Sequence, residues 1–282
     1  MKVTVAKTAG FCFGVKRAVE IVEEQIKSKT KPLYTYGPII HNDTVVSEFA
    51  EAGVTILEEG KDLDQVPPGV VILRSHGVSR AVMDDLKSHG FEIVDATCPF
   101  VKKIHKIVQE YDEKGYTIVI VGNESHPEVE GIIGWIGSQK YHCITSAEDF
   151  MALHLDQKAR ICLVSQTTFH HHKFQELVEI IKQKGYDICA KNTVCSATEE
   201  RQKEAIAIAQ EVDAMIVIGG KSSSNSKKLY EIASENCTNT YFIQTADDLD
   251  CKVLQSIDDV GITAGASTPN KIIEEVQKKC QK

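Results

Sequence analysis

Short apolar stretches rich in Val and Ile alternate with longer amphipathic stretches along most of the chain. The apolar stretches include "VVILRSHGVS", "YTIVIVGNESHPEVEG", "ARICLVSQTTF" and "DAMIVIGGKSSSNS", and each ends in a polar tip. Short apolar runs bounded by turn residues predict buried strands, and the longer stretches between them predict helices. The pattern therefore predicts parallel β–α–β units, in which ligands bind outside the carboxyl ends of the strands.

The layout of these stretches repeats three times. Cys12, Cys98 and Cys195 each stand just before a predicted helix, and successive members of this set are 86 and 97 residues apart. A first apolar strand follows each helix, and its polar tip lies 28 or 29 residues after the cysteine. A second apolar strand with a polar end follows in each repeat. The tips of the first strands carry His41, His126 and the run Ser223, Ser224 and Asn225, and those of the second strands carry His76, Thr167, Thr168 and Ser267.

We predict an α/β protein made of three pseudo-repeated small domains with mostly parallel sheets, arranged as a trefoil around a shared centre. The predicted boundaries are 1–97, 98–193 and 194–282, with one of the three cysteines in each domain. Such an arrangement gives Cys12 distant partners in place of a local CxxC pair.

Composition and charge narrow the class of protein. The 282 residues carry a net charge of −8, so the electrostatic footprint of a nucleic-acid-binding protein is missing. The sequence has neither an apolar run long enough to span a membrane nor a signal-peptide core, which predicts a cytoplasmic protein without a membrane partner. An odd count of nine cysteines argues against a disulfide framework and favours metal binding or catalysis.

The three repeated cysteines are candidate metal ligands. A helix N-terminus favours a thiolate, and thiolates ligate iron–sulfur clusters. Three thiolates on a four-iron cluster leave one iron open to a substrate, whereas zinc held by three cysteines and a histidine is the competing interpretation. The other six cysteines do not follow the repeat, and we interpret Cys143, Cys162 and Cys251 as structural.

The polar tips combine imidazole, hydroxyl and amide groups, which suit a phosphate or diphosphate. The "GGKSSSNSKK" loop is similar to Gly/Ser-rich turns that bind anions, although a flexible surface loop is the alternative. Glu128 in "SHPEVEG" is either a favourable first-turn helix residue or, if buried beside the ligand, a proton donor. We expect the run His170, His171 and His172 to be mostly solvated.

Seven motifs together resemble one family. They are "GFCxGVxRA", "DATCPxVxKxH", "GxxxHPEVEG", "SQTT", "VCxAT", "SSNSxxL" and "TAGAS", found in family order from Gly10 to Ser267. They are similar to the motifs of the LytB family of 4-hydroxy-3-methylbut-2-enyl diphosphate reductases, which act last in the non-mevalonate isoprenoid pathway. Phe13 departs from the family pattern, because many members carry a small residue there.

The resemblance implies roles for the candidate residues. Cys12, Cys98 and Cys195 would ligate a [4Fe-4S] cluster with an open fourth iron, and Glu128 would relay a proton. Thr167 would contact the substrate, a role for which its neighbour Thr168 is the alternative. The pocket for the diphosphate and the hydroxyl group would be lined by His41, His76, His126, Ser223, Ser224, Asn225 and Ser267.

The resemblance also implies a reaction and its partners. The substrate's hydroxyl group would be removed reductively to give isopentenyl and dimethylallyl diphosphate, with electrons from a ferredoxin or flavodoxin. Two other functions stay open at this point. A zinc hydrolase of phosphate esters shares the cysteine and histidine count, and a non-enzymatic iron–sulfur sensor would need a fourth ligand that the repeat tips do not offer.

Overall fold

The computed structural model describes residues 1–28, 31–254 and 257–281. Within these ranges helices and strands alternate along the chain, as the apolar pattern predicts. The strands are β1 (Lys2–Val5), β2 (Leu33–Tyr36), β3 (Val54–Leu57), β4 (Val70–Leu73), β5 (Glu92–Asp95), β6 (Thr117–Val121), β7 (Tyr141–Ile144), β8 (Arg160–Ser165), β9 (Asp187–Ala190), β10 (Ala214–Ile218), β11 (Thr240–Ile243) and β12 (Asp259–Ala264).

The helices carry the longer amphipathic stretches. They are α1 (Phe13–Ser28), α2 (Asp43–Glu51), α3 (Arg80–Ser88), α4 (Pro99–Glu113), α5 (Pro127–Ile133), α6 (Ala147–Ala152), α7 (His171–Gln183), α8 (Ser196–Ala209), α9 (Ser224–Asn236) and α10 (Asn270–Cys280). Short 3-10 turns are formed by Leu63–Gln65, Ala246–Asp248 and Cys251–Leu254.

The strands of the described residues form three four-stranded sheets, and every strand pair in them is parallel. Their orders are β3-β2-β4-β5, β7-β6-β8-β9 and β11-β10-β12-β1, so the same arrangement occurs three times. The predicted α/β class with three pseudo-repeats is confirmed. The predicted trefoil arrangement and domain boundaries remain predictions.

The chain start belongs to the last of the three sheets. β1 lies parallel to β12, with Val3 opposite Val260 and Val5 opposite Ile262. Each sheet has one edge strand that is followed in the sequence by one of the three repeated cysteines. These edge strands are β1, β5 and β9. The first predicted segment, 1–97, therefore contributes its opening strand to the sheet of the third segment.

Contacts divide the chain into two compact units. Unit 1 comprises Met1–Lys16, Ile40–Glu48 and Ser196–Lys282, and unit 2 comprises Arg17–Ile39 and Phe49–Cys195. Unit 1 holds the sheet with β10 at its centre, and unit 2 holds the other two sheets.

The central strands explain why the apolar stretches are continuous. All residues of β4 and β10 are buried, because helices cover both faces of a parallel sheet. In unit 1, Ile216 and Ile218 pack with Ile272 and Val276 of α10, whereas Met215 and Val217 pack with residues of α8 and α9 on the other face. Burial of each such side chain contributes about 1.5–3 kcal/mol. These cores fix the strand ends from which the candidate site residues follow.

Candidate active site

The three repeated cysteines stand at the starts of long helices. Cys98 is the N-cap of α4, with Pro99 at the first helical position. Cys12 immediately precedes α1, and Cys195 immediately precedes α8. All three residues are partly exposed, so their thiols lie at accessible helix starts rather than inside a core.

The cysteines interpreted as structural have a different environment. Cys162 is fully buried, and burial raises the pKa of its thiol to about 12. Burial likewise raises the pKa of the Cys143 thiol to about 12. These two thiols stay protonated at neutral pH, which disfavours them as metal ligands. The side chain of Cys251 lies outside the described residues.

Each of the three repeated cysteines is hydrogen-bonded to the end of the second strand of a repeat. In unit 1 the Cys12 N–H donates to the carbonyl oxygen of Ala266 at 3.1 Å, next to Ser267. In unit 2 the Cys98 N–H donates to the carbonyl oxygen of Ser75, next to His76, at 3.0 Å. The Cys195 N–H donates to the carbonyl oxygen of Thr167, also at 3.0 Å. Every candidate ligand is therefore fixed beside a candidate substrate-binding residue.

His76 and His126 come together within unit 2. Their ring centroids are 5.7 Å apart, with the planes at 79°. His126 is the N-cap of α5, and its Nδ1 accepts the backbone N–H of Glu128 at 3.1 Å. Since Nδ1 acts as an acceptor, the neutral ring carries its proton on Nε2, which can donate a hydrogen bond to an anion or a hydroxyl oxygen.

Glu128 is a buried acid held by Thr167. It is 2 % exposed, and its carboxylate accepts the Thr167 N–H at 2.6 Å and the Thr167 hydroxyl at 2.7 Å. Burial raises the pKa of Glu128 to about 7, although the hydrogen bonds from Thr167 favour the ionised form. A carboxyl group with this pKa can hold a proton and release it near neutral pH.

The neighbouring residues Thr167 and Thr168 make different contacts. Thr167 contacts Glu128 directly, whereas the Thr168 hydroxyl oxygen accepts the side-chain amide of Gln166 at 3.0 Å. The geometry therefore favours Thr167 over Thr168 as the residue that acts with Glu128, and its contact with substrate stays a prediction.

We expect the raised pKa of Glu128 to make stability depend on pH. The folded protein keeps a proton that the unfolded chain releases above about pH 4.5. The free energy of unfolding should therefore fall by up to about 3 kcal/mol as the pH rises from about 4.5 to 7. Glu128→Gln should lack this fall, which urea unfolding at pH 5 and pH 8 would measure. An equal fall in both proteins would contradict a raised pKa at Glu128.

In unit 1, the polar residues after β10 and β12 lie close to His41. The Ser267 hydroxyl donates to the His41 carbonyl at 3.0 Å, which joins the end of β12 to the start of α2. A Cβ at Gly220 would stand 2.7 Å from the same carbonyl oxygen, so glycine is required for the loop after β10 to approach His41 this closely. The two strand ends and His41 thus share one region of unit 1.

The run Ser223, Ser224 and Asn225 begins α9. The Ser223 oxygen is the N-cap acceptor for the Ser226 N–H at 3.3 Å. Asn225 is 5 % exposed, and its buried Nδ2 has no hydrogen-bond partner among the described residues. A buried amide donor at the start of a long helix, where the dipole is positive, suits an anion. The alternative of a flexible surface loop does not fit the burial of Ser223 and Asn225.

The expectation that the three successive histidines are solvated is wrong for one of them. His172 is exposed and His171 is half-buried, but His170, the N-cap residue of α7, is 5 % exposed, with its ring 6.2 Å from that of Phe169 between centroids. The run crosses a helix start, so its members have different environments.

Sequence reasoning missed the residues that shape the His76 loop. The Ser75 hydroxyl donates to the carbonyl of Ile39 at 3.1 Å, and Arg74 Nε donates to the carbonyl of Gly77 at 3.2 Å. Arg74 is 3 % exposed. The signal was a charged residue directly after the apolar run "VVIL", where burial of a charge requires partners.

Among the residues that the structure describes, no group of three or more His, Cys, Asp or Glu side chains is placed to hold a metal ion. None of the helices in the described part of the chain is long and apolar enough to cross a membrane.

The fold and the site define an α/β protein of three parallel sheets, in which thiols and candidate anion-binding side chains follow the strand ends. The model of the LytB protein family matches residues 3–281. The chain therefore belongs to the LytB family, and the resemblance inferred from its motifs is confirmed.

Curated relatives and solved structures agree with this family. The chain is 47% identical over 281 residues to the 4-hydroxy-3-methylbut-2-enyl diphosphate reductase of Caldanaerobacter subterraneus subsp. tengcongensis, covering 99% of this chain and 96% of the relative. It is 43% identical to the enzyme of that name from Clostridioides difficile, covering 98% of each.

Among solved structures, it is similar to the E-1-hydroxy-2-methyl-but-2-enyl-4-diphosphate reductase from Plasmodium falciparum. The TM-score is 0.91 at 30% identity, and the match covers 98% of this chain and 87% of the other. A second reductase structure, described as the terminal enzyme of the non-mevalonate pathway, matches with a TM-score of 0.70 at 39% identity over 100% of this chain and 99% of the other. The zinc hydrolase alternative has no support among these relatives.

Proposed function

We propose that this chain is an iron–sulfur reductase of 4-hydroxy-3-methylbut-2-enyl diphosphate in the non-mevalonate pathway. Two electrons and two protons convert the substrate into isopentenyl or dimethylallyl diphosphate and one water. The carbon–oxygen bond of the hydroxyl group breaks, and one proton leaves with the oxygen as water while the other is added to carbon. The names of the full-length relatives support this reaction.

One observation carries the chemistry, namely the contact of Glu128 with Thr167 in unit 2. The acid is buried, its pKa lies at about 7, and the carbonyl of the same threonine holds the Cys195 N–H. A proton donor is thus attached through one residue to a candidate cluster ligand. We assign to Glu128 the delivery of the proton that accompanies loss of the hydroxyl oxygen.

The chemistry of three thiol donors supports an iron–sulfur cluster. Three partly exposed thiols stand at helix starts, each with its backbone N–H bound to a strand end. We propose that Cys12, Cys98 and Cys195 hold a [4Fe-4S] cluster whose fourth iron has no protein ligand. When bound, the cluster supplies electrons one at a time and an open iron for the substrate's oxygen.

The remaining residues bind and orient the substrate. We assign the diphosphate and hydroxyl group to His41, His76, His126, Ser223, Ser224, Asn225 and Ser267, with Thr167 as a further contact. His126 would donate through Nε2, because its Nδ1 is occupied by the N–H of Glu128. The buried Nδ2 of Asn225 supports a phosphate contact in unit 1. Binding energy from the diphosphate positions the reacting carbon.

We propose that the electron donor is a ferredoxin or flavodoxin and that the enzyme acts in the cytoplasm. The reaction needs single-electron delivery, which proteins of these classes provide. The net charge of −8 gives no support to a nucleic-acid partner.

An anaerobic turnover assay tests the reaction. The holoenzyme is mixed with the hydroxylated diphosphate and a chemically reduced one-electron dye, and dye oxidation is followed together with product formation. We expect two dye molecules oxidised for each five-carbon diphosphate formed, as the two-electron balance requires. Release of inorganic phosphate without dye oxidation would instead indicate a hydrolase.

Asn225→Asp should weaken substrate binding. The variant keeps the shape of the side chain but replaces a buried donor by a negative charge facing a diphosphate. Because a hydrogen bond to a charged group contributes about 1.5–3 kcal/mol, KM should rise about tenfold or more. Asn236→Asp, at the other end of α9, makes the same charge change and should leave KM unchanged. An unchanged KM in Asn225→Asp would contradict a phosphate contact there.

A further inference from the structure

Two arginines each donate to a backbone carbonyl just before a candidate cluster ligand and to a second carbonyl at a strand end. In unit 1, Arg201 of α8 donates through Nη2 to the carbonyl of Gly10 at 2.6 Å and through Nη1 to that of Ala264 at 3.0 Å. In unit 2, Arg17 of α1 donates through Nη1 to Thr97 at 3.3 Å and through Nη2 to Asp95 at 3.2 Å.

The first accepted carbonyl of each arginine has a similar place in the repeat. Gly10 lies two residues before Cys12, and Thr97 lies one residue before Cys98. The arginines have similar places too, since Arg17 follows Cys12 by five residues and Arg201 follows Cys195 by six. The second accepted carbonyl ends β12 for Arg201 and β5 for Arg17.

Arg201 connects two functional segments of unit 1. Gly10 belongs to the loop before Cys12, and Ala264 ends β12, three residues before Ser267. The Cys12 N–H also donates to Ala266. Arg201 is 4 % exposed, so its charge is buried and its bonds to these carbonyls hold their geometry without competition from water.

The same helix holds the start of the Cys12 loop at a second point. The carboxylate of Glu204, one turn after Arg201, accepts the N–H groups of Lys7 and Thr8 at 2.8 and 2.9 Å. It also accepts the Thr8 hydroxyl at 2.5 Å. The backbone from Lys7 to Gly10 is therefore tied to α8 along its length, and Cys12 follows directly.

We propose that Arg201 and Arg17 are positioning residues for the iron–sulfur cluster, which hold the loops of Cys12 and Cys98 and place a positive charge at the backbone that leads to each of these two cysteines. This inference rests on the proposed cluster ligation. Partners behind the ligands orient them, and charge near a cluster tunes its reduction potential. Each guanidinium reaches two carbonyls at once, which an ammonium group cannot do in the same geometry.

The test compares Arg201→Gln, Arg201→Lys and Arg17→Gln with the unmodified holoenzyme, all purified anaerobically. Arg80→Gln serves as the matched control, because the Arg80 side chain is 67% exposed on α3. Two quantities are measured on folded, cluster-loaded protein, namely the rate of iron release to a chelator and the reduction potential of the cluster. A residue that only stabilises the fold would change the melting temperature but not the potential.

We expect Arg201→Gln to release iron about 10- to 100-fold faster and to have a lower potential, because a positive charge that favours the added electron is lost. Arg201→Lys should keep the potential near that of the unmodified enzyme but release iron faster. Arg17→Gln should change both quantities in the same direction but less, since its hydrogen bonds are longer and the side chain is partly exposed. Arg80→Gln should change neither.

If a glutamine variant keeps the iron-release rate and the reduction potential of the unmodified enzyme, the inference for that arginine is wrong. If Arg201→Gln is not recovered folded, Arg201→Lys decides, since iron release at the unmodified rate would then overturn the positioning role. An unmodified protein that binds no iron–sulfur cluster would instead refute the proposed function itself.

Discussion

Glu128→Gln should retain the cluster and lose most of its turnover. Glutamine keeps the size of the side chain but cannot deliver a proton, and general acid catalysis contributes about 100- to 10,000-fold. We therefore expect kcat in the anaerobic assay to fall by at least about 100-fold, with unchanged iron content. The unmodified enzyme should also lose activity as the pH rises through about 7, where Glu128 gives up its proton.

Glu130→Gln is the matched control for this variant. Glu130 lies on the same helix α5, two residues away, but it is exposed. Its substitution should leave kcat and the pH profile unchanged. A fully active Glu128→Gln enzyme would refute the proton relay, and equal losses in both variants would attribute the effect to α5 as a whole.

Cys98→Ser should lose the cluster while keeping the fold. Cys98 is the N-cap of α4, and serine is a better N-cap residue than most, so the helix should tolerate the change. A serine hydroxyl at neutral pH is a poor replacement for a thiolate ligand. We expect the iron content to drop sharply and turnover to fall by more than about 100-fold. Loss of a group that only orients a ligand costs about 10- to 100-fold, so loss of the ligand itself should cost more.

Cys143→Ser is the control that distinguishes loss of a cluster ligand from loss of any other thiol. Cys143 lies on β7, is also partly exposed, and has a pKa raised to about 12 by burial. Its substitution should leave iron content and turnover unchanged. Retention of a full complement of iron in Cys98→Ser would show that Cys98 is not a ligand.

The sequence predicted those parts of the fold that are buried on both faces. β4, β6 and β10 are almost wholly buried, and their continuous apolar letters are visible without a structure. The edge strands β7 and β11 were missed, because they are mostly half-buried and their letters are mixed. Periodicity is weak for short strands of this kind.

Local sequence patterns do not show which distant strands pair with each other. "MKVTVAKTAG" is recognisable as strand-like, but its partner β12 begins more than 250 residues later. The site has the same limit. Glu128 was a candidate on its motif, but its burial and its bonds to Thr167, 39 residues away, which favour a proton donor over a helix-start acid, are visible only in the structure. Arg17 is part of the motif "GFCxGVxRA", but its contacts with Asp95 and Thr97, and those of Arg201 with Gly10 and Ala264, are visible only in the structure.

The most direct test of the account is made on the anaerobically purified protein. Iron and acid-labile sulfide are counted, and the absorption spectrum is recorded with and without the hydroxylated diphosphate. The account predicts a brown protein with about four irons per chain and a spectrum that changes when substrate binds. A colourless protein that holds one zinc and no sulfide would contradict it, because the three thiols would then serve another metal.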